Sequence, residues 1–283
     1  MITSILKYIH CPECMGTFNI EQNKLSCNNC SNVIPVVDGI PRFEKNITKP
    51  LIEFDETLYH DPTKWSKWRK LNVDFILEHL DKLPCESFGL DLGAGRRPFS
   101  QKLSRLVILS VDQVPYNGIN LITDIDSKLP INNNVFDFIV LSNLLNHIKN
   151  PIDMLSECYR ILKPNGILIG VTPFIKKIQN SPSDFYRYTD TSIHKVLSES
   201  GFKKNKVSHI GNLYSVNDLF LHSFYKRLLM KNTNRKISWL IIKFFERSNK
   251  LLIRLLIFLY AKQDSLNKTD DIPLAYGFIA NKK

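Results

Sequence analysis

The 283-residue sequence predicts an α/β fold with a mostly parallel sheet, preceded by a small N-terminal unit and carrying a helical insert near its C-terminal end. Short apolar runs alternate with amphipathic segments from about residue 87 onward, which is the pattern of βαβ units. Four cysteines form two closely spaced pairs within the first 30 residues. About sixty residues, rich in basic and apolar types, separate the last two strand candidates.

The composition favours one large core with a small satellite, because 43% of the residues are hydrophobic. No N-terminal segment combines basic residues, a long apolar stretch and a small-residue cleavage site. We therefore expect a cytoplasmic protein. In that compartment the six cysteines are expected to be metal ligands or core thiols rather than disulfides.

The two cysteine pairs, Cys11-Pro-Glu-Cys14 and Cys27-Asn-Asn-Cys30, have the spacing of a tetrahedral zinc site. Four thiolates leave no position for water, so the predicted role of the metal is structural. The alternatives are unrelated cysteines or a redox pair, but two correctly spaced pairs favour zinc. We assign 1–47 to a zinc ribbon and 48–283 to the main domain.

The ribbon is followed by the apolar stretch Val33–Phe43. Together with the cysteines, this stretch resembles the small zinc-containing activator subunit of tRNA and protein methyltransferases, over about residues 6–45. Bacterial members of that family are often fused to a methyltransferase. The resemblance implies such a domain downstream and does not identify a substrate.

The main domain begins with an apolar run from Ser87 that ends in Asp91-x-Gly93-x-Gly95. Glycines at this place let the backbone approach a ligand. The third glycine of a dinucleotide fingerprint is missing, which favours a nucleoside without a pyrophosphate. The next predicted strand ends in Asp112, where a carboxylate can accept both ribose hydroxyls.

Three further segments complete the βαβ pattern. Val135–Leu141 is a continuous apolar run typical of a buried parallel strand, and 143–148 forms the loop at its end. Pro151 opens an amphipathic helix, which Lys163-Pro-Asn-Gly166 ends before a strand at 167–171.

These motifs follow the order and spacing of class I S-adenosylmethionine-dependent methyltransferases of type 11, over about residues 71–210. The motifs are Asp-Leu-Gly-Ala-Gly95, Asp112, Asp124 with Leu129-Pro130, Phe136-Asp137, Asn143-Leu-Leu-Asn-His147 and Arg160–Gly166. Many relatives have Leu-Glu-His where this chain has Leu145-Asn146-His147. The resemblance implies a Rossmann-like sheet of seven strands and S-adenosylmethionine as cofactor.

The resemblance also implies the cofactor-binding residues. They are Asp91, Gly93 and Gly95 for the methionine part, Asp112 for the ribose, Asp124 for the adenine amino group, and Ser142 at the end of the 135–141 strand.

Acceptor-side candidates come from two loops. His147 follows a strand at its carboxyl end and is a candidate general base, or else a surface histidine. Pro182–Thr189 resembles a loop of methyltransferases that act in cell-surface polysaccharide or lipid-linked glycan synthesis. Within it, Asp184, Tyr186 and Arg187 either face the acceptor or, for Asp184 and Arg187, form a clamp that holds the loop.

The net positive charge of the protein is concentrated in and around the predicted insert, about 212–270. Residues 201–263 hold thirteen Lys and Arg against two acidic residues, which accounts for the whole net charge of +11. The cations Lys236, Lys243, Arg247, Lys250 and Arg254 share one helical face. These cations predict that the Lys236–Tyr260 helix docks on an anionic membrane, as a peripheral attachment to the inner face of that membrane. The alternative is a helix that packs on the core or in a dimer.

Three functions remain open. The first is methylation of a sugar, a lipid-linked glycan or another small-molecule intermediate. The second is an RNA methyltransferase whose ribbon and insert grip phosphates, but residues 11–45 carry only Lys24, Arg42 and Lys45 as cations. The third is an inactive scaffold, which need not keep the cofactor motifs. The sequence does not determine the oligomeric state.

Overall fold

The computed structural model describes residues 2–43, 65–96, 99, 103–178, 183–213, 215–217, 219–220, 244, 247–248, 251–252 and 272–283. The N-terminal unit begins with helix α1 (Ile2–Ile5) and a 3₁₀ turn (Leu6–Tyr8). Its antiparallel sheet contains β1 (Phe18–Glu21), β2 (Lys24–Cys27), β3 (Val33–Val37) and β4 (Ile40–Pro41).

The main domain is built on a seven-stranded sheet of order β10-β11-β9-β8-β5-β6-β7. The strands are β5 (Phe88–Leu92), β6 (Val107–Asp112), β7 (Leu121–Ile122), β8 (Phe136–Ser142), β9 (Leu162–Pro173), β10 (Lys204–Ile210) and β11 (Ala275–Asn281). Strands β5 to β9 pair in parallel, whereas β11 is antiparallel to both neighbours. This Rossmann-like sheet confirms the predicted fold class.

In the described part of the main domain, helices α2 (Lys67–Leu80), α3 (Pro151–Ile161) and α4 (Asp190–Glu199) cover the sheet. Ser66 caps α2, because its side chain accepts a hydrogen bond from the backbone N–H of Arg69 at 3.3 Å. Thr189 caps α4 in the same way, and Pro stands in the first turn of α3. A 3₁₀ turn (Leu145–His147) follows β8.

Strand β9 is longer than predicted. The motif Lys163–Gly166 was expected to be a break, but the strand begins at Leu162, which pairs with Phe136. Asn165 adopts a φ of 65°, and its N–H donates to the Lys282 carbonyl at 3.0 Å. The polar segment thus finds backbone partners next to the last strand, which the local sequence does not reveal.

The ribbon packs on the main domain rather than standing apart. Ile9 and Leu25 belong to the same buried cluster as Leu90 and Leu129. The His10 N–H donates to the Pro130 carbonyl at 3.1 Å.

The ribbon also continues the large sheet beyond β7. Arg42 forms a parallel bridge with Ile122, and the Phe43 N–H donates to the Ile122 carbonyl at 2.8 Å. The predicted boundary near residue 47 lies outside the described residues.

Most of the predicted insert helix also lies outside the described residues. The described positions at 244, 247–248 and 251–252 are helical. Phe244, Leu251 and Leu252 are exposed, at 66%, 72% and 53%. Among the residues that were described, no helix is long and apolar enough to cross a bilayer.

Candidate cofactor site and metal centre

The four predicted zinc ligands lie together in the ribbon. All their sulfur atoms are within 4.8 Å of one another, and Sγ of Cys11 is 3.7 Å from that of Cys30. The Cys14 and Cys27 sulfurs are 3.4 Å apart. A tetrahedral zinc ion at about 2.3 Å from each sulfur would hold them about 3.8 Å apart, so the cluster fits this ion.

Hydrogen bonds to Cys11 and Cys27 favour the thiolate form of these two residues. The Asn32 side-chain amide donates to Cys11 Sγ and the Asn29 N–H donates to Cys27 Sγ, both at 3.4 Å. Burial raises the pKa of Cys11, but the hydrogen bonds from Asn32 and nearby backbone groups outweigh it and bring the pKa to about 6. The thiolate is the form that binds a metal, so these contacts support metal binding.

The glycine turn, residues 93–96, follows β5. Gly93 and Gly95 have φ angles of 68° and 62°, a conformation that side chains disfavour. A Cβ on Gly93 would lie 2.6 Å from the Leu144 side chain, whereas a Cβ on Gly95 would have no atom within 4 Å. Gly93 therefore allows close packing beneath the turn, and Gly95 leaves open space above it.

Asp91 lies beneath this turn with one oxygen unsatisfied. The residue is 1% exposed, and its Oδ2 accepts a hydrogen bond from the Phe99 N–H at 2.8 Å. Its Oδ1 is buried without a partner among the described residues. Burial, and secondarily the Asp112 charge, raises the pKa of Asp91 to about 7. Such a buried acceptor requires a donor, which a ligand or a bound water can supply.

Asp112 connects the end of β6 to the glycine turn. Its Oδ2 accepts from the Gly95 N–H at 2.8 Å and its Oδ1 from the Val114 N–H at 2.9 Å. Burial raises the pKa of this carboxyl, and the same hydrogen bonds oppose the rise. Each carboxylate oxygen can accept a second hydrogen bond, so Asp112 keeps the capacity to bind hydroxyls.

Asp124 has a local role in the loop after β7. Its Oδ1 accepts from the Asp126 N–H at 3.0 Å, and its Oδ2 accepts from the Ser127 hydroxyl. The side chain is half-buried. A second hydrogen bond to an adenine amino group stays a prediction.

A cavity of about 310 Å³ opens above the glycine turn, and we call it the cofactor cavity. Gly93, Gly95 and Ser142 line it, as the sequence predicted. The opposite wall comes from α2 and from the segment after β9. Among the described residues, seven predicted site residues do not line it: Asp91, Asp112, Asp124, His147, Asp184, Tyr186 and Arg187. Asp112 reaches the turn through its hydrogen bond to the Gly95 N–H.

Asn72 of α2 is a site residue that the sequence reasoning missed. It is 1% exposed, and its amide donates to Asn143 Oδ1 at 3.4 Å. Its own Oδ1 is buried and has no partner among the described residues. The available signal was an asparagine on the helical face of Ile76 and Leu80, where an apolar residue is expected.

The candidate acceptor residues instead tie two loops together. Arg187 forms a two-pronged ion pair with Asp184, whose side chain is 2% exposed, with one N–O distance of 2.6 Å. The Asn146 amide donates to Asp184 at 2.9 Å. This arrangement is the loop-holding clamp. It also explains the departure from Leu-Glu-His, because a glutamate at 146 would face the Asp184 carboxylate.

His147 and Tyr186 make backbone contacts. The His147 Nδ1 lies 2.7 Å from the Ser183 carbonyl, which assigns its proton to Nδ1. The Tyr186 hydroxyl donates to the Lys149 carbonyl at 3.0 Å. Direct roles of these two side chains and of the clamp toward an acceptor stay predictions.

Comparison with known proteins agrees with a methyltransferase domain. Residues 72–170 match the family described as methyltransferase domain. An uncharacterised protein of Methanocaldococcus jannaschii is 26% identical over 151 residues, which are 49% of this chain and 74% of that protein. A probable polyketide synthase 10 of Dictyostelium discoideum is 26% identical over 144 residues, 50% of this chain and 5% of the synthase.

Among solved structures, phosphoethanolamine N-methyltransferase 2 of Haemonchus contortus, crystallised with S-adenosyl-L-methionine, is similar in fold. Its TM-score is 0.50 at 16% identity, over 80% of this chain and 55% of that one. The sheet order, the glycine turn and the family match point to one conclusion. Residues 72–170 belong to the class I S-adenosylmethionine-dependent methyltransferases.

Proposed function

We propose that the protein transfers a methyl group from S-adenosylmethionine to a small-molecule acceptor, most specifically a sugar or lipid-linked glycan intermediate. One observation carries the cofactor assignment: two buried acceptor atoms, Asp91 Oδ1 below the glycine turn and Asn72 Oδ1 on the α2 side of the cavity, have no partner among the described residues. The methionine part of the cofactor carries an ammonium group, which is a donor for such atoms. Asp112 would hold the ribose.

When bound, the cofactor supplies a methyl group on a positively charged sulfur. The protein then has to position the acceptor in line with that methyl group and exclude water. The walls suit this task, because Trp68 and Tyr116 provide rigid apolar surface beside the turn. Ser142 and Asn143 form the part of the wall at the carboxyl end of β8.

Two observations support a small acceptor. Probable polyketide synthases are among the proteins that match this domain. The loop Pro182–Thr189 resembles that of methyltransferases that act in cell-surface polysaccharide or lipid-linked glycan synthesis. The RNA alternative receives less support from the ribbon. Its described cations between 11 and 43 are Lys24 and Arg42, and Arg42 lies 3.9 Å from the Asp38 carboxylate.

Calorimetry tests the cofactor site. Asp112→Ala should lose about 1–3 kcal/mol of affinity for S-adenosylmethionine, the range for hydrogen bonds to a charged group. Asp153→Ala, which removes an exposed carboxylate on α3, is the matched control and should bind normally. If the wild-type protein does not bind S-adenosylmethionine, or if both variants bind it with equal affinity, the cofactor does not bind at this site.

The acceptor class is tested with methyl-labelled S-adenosylmethionine and a cell extract divided into small-molecule, lipid and RNA fractions. We expect the label in the small-molecule or lipid fraction, and Asp112→Ala should reduce it. Label confined to RNA would favour the second function, and no transfer to any fraction would favour a scaffold.

A further inference from the structure

Lys176 follows β9 and enters the cofactor cavity, although no motif indicated it. Its Nζ lies 2.8 Å from the centroid of the Trp68 ring. Within the described part of the chain, this nitrogen forms no hydrogen bond or ion pair. The nearby carboxylate of Asp184 is already engaged by Arg187 and Asn146.

Arg69 and Arg187 disfavour the protonated form of Lys176, whereas the Asp184 carboxylate and the face of the Trp68 ring, which attracts cations, favour it. Arg69 approaches from α2, and Arg187 and Asp184 approach from the 183–189 loop. Burial, and to a smaller extent the two arginines, lower the pKa of Lys176 to about 7, although Asp184 opposes them. A large fraction of this amine therefore carries a free lone pair at neutral pH.

We propose that Lys176 is the general base of methyl transfer in this cavity, an inference that rests on the proposed function. The acceptor's oxygen or nitrogen attacks the methyl carbon, a new bond forms to that carbon, and the carbon–sulfur bond breaks with its electron pair going to sulfur. The acceptor proton moves to Lys176 Nζ. The resulting ammonium then returns this proton to water.

The charge of the cofactor favours a base over an anion-binding lysine. A sulfonium brings another positive charge into the cavity that Lys176 lines, so the protonated amine is destabilised further when the cofactor binds. His147 offers no equivalent in this cavity, because its ring does not line the described wall.

The pKa of Lys176 can be measured without knowing the acceptor. The side-chain ε carbons of lysine are labelled with ¹³C, the Lys176 signal is assigned with Lys176→Arg, and its pKa is followed by NMR. We expect a value near 7 in the free protein. It should be lower with S-adenosylmethionine than with the neutral S-adenosylhomocysteine. A pKa near the ordinary value of 10.5 in the free protein would overturn the proposal.

Kinetics with the label-accepting fraction provide the second test. Lys176→Met and Lys176→Arg should both lower kcat by about 10²- to 10⁴-fold and abolish the rise of the rate with pH near 7. Lys177→Met, at the exposed neighbour, should leave both unchanged.

Affinity for S-adenosylmethionine should stay within about twofold in Lys176→Met, since only a transition-state contact is removed. Lys176→Arg keeps a permanent positive charge near the sulfonium and should bind the cofactor more weakly. A Lys176→Arg variant with wild-type kcat would contradict a base and indicate an anion contact. If the wild-type protein binds no S-adenosylmethionine, the proposed function fails, and the titration alone still decides the state of Lys176.

Discussion

At the residue scale, Asp91 combines a structural cost with a binding role. Its folded pKa of about 7 exceeds the ordinary 3.8, so the folded protein binds this proton more tightly than the unfolded chain. The contribution of Asp91 to the free energy of unfolding is therefore fully present below about pH 4. It falls as the pH rises toward 7, because the buried carboxylate becomes charged without a partner for Oδ1.

Asp91→Asn should remove this cost. We expect the ligand-free variant to gain about 2–4 kcal/mol in free energy of unfolding at pH 8, since each pKa unit corresponds to about 1.4 kcal/mol. The gain should shrink at pH 5, and affinity for S-adenosylmethionine should fall. Urea unfolding at both pH values measures the effect, and an equal change at both would contradict the assigned pKa.

The site residues that the sequence predicted and those that it missed differ in one physical respect. Asp112 and the two glycines stand in a motif of fixed spacing, so their place at the strand ends follows from local order. Asn72 and Lys176 acquire their chemistry only from burial against other elements. The only local signal is the position of Asn72 on the helical face of Ile76 and Leu80, and no local pattern indicates the burial of Lys176.

At the element scale, the predicted strands and helices were found where apolar periodicity was strong, as in β8 and α3. The α2 helix was missed because its buried face includes the polar Asn72. The extension of β9 through Lys163–Gly166 depends on long-range pairing with Lys282, which periodicity cannot report. Tertiary contacts thus decided the elements that pattern alone did not.

Membrane docking by the basic insert helix, Lys236–Tyr260, remains a prediction. Each aligned Lys or Arg near an anionic surface contributes about 1 kcal/mol, so replacing Lys243, Arg247, Lys250 and Arg254 by Glu should abolish flotation with acidic vesicles. Binding should also weaken with salt. A charge-matched control replaces the exposed lysines Lys195, Lys203, Lys204 and Lys206 by Glu.

That control should still float, and both quadruple variants should bind S-adenosylmethionine. Wild-type protein that ignores acidic vesicles would contradict membrane docking. Equal loss in both variants would indicate an effect of net charge and not of this helix.

At the scale of the whole molecule, the ribbon and the main domain share a core, so zinc is expected to stabilise both. Removing the metal with a chelator, or substituting Cys14→Ser, should lower the melting temperature of the entire protein in one transition. Cys85→Ser changes an exposed cysteine outside the cluster and should have no such effect. Calorimetry with metal analysis measures this.

One zinc per chain is expected in the purified protein. A wild-type preparation without zinc would contradict the site. Melting of the main domain at the same temperature with and without metal would show that the shared core contributes little to its stability.

The position of β11 has a consequence for how the chain folds as it is synthesised. β11 lies between β9 and β10, although both are made earlier and the insert separates it from them. A ribosome must therefore release some sixty further residues before this interior place in the sheet is filled. During that interval β9 presents an unpaired edge, which is the arrangement that chaperones recognise and that neighbouring nascent chains can join.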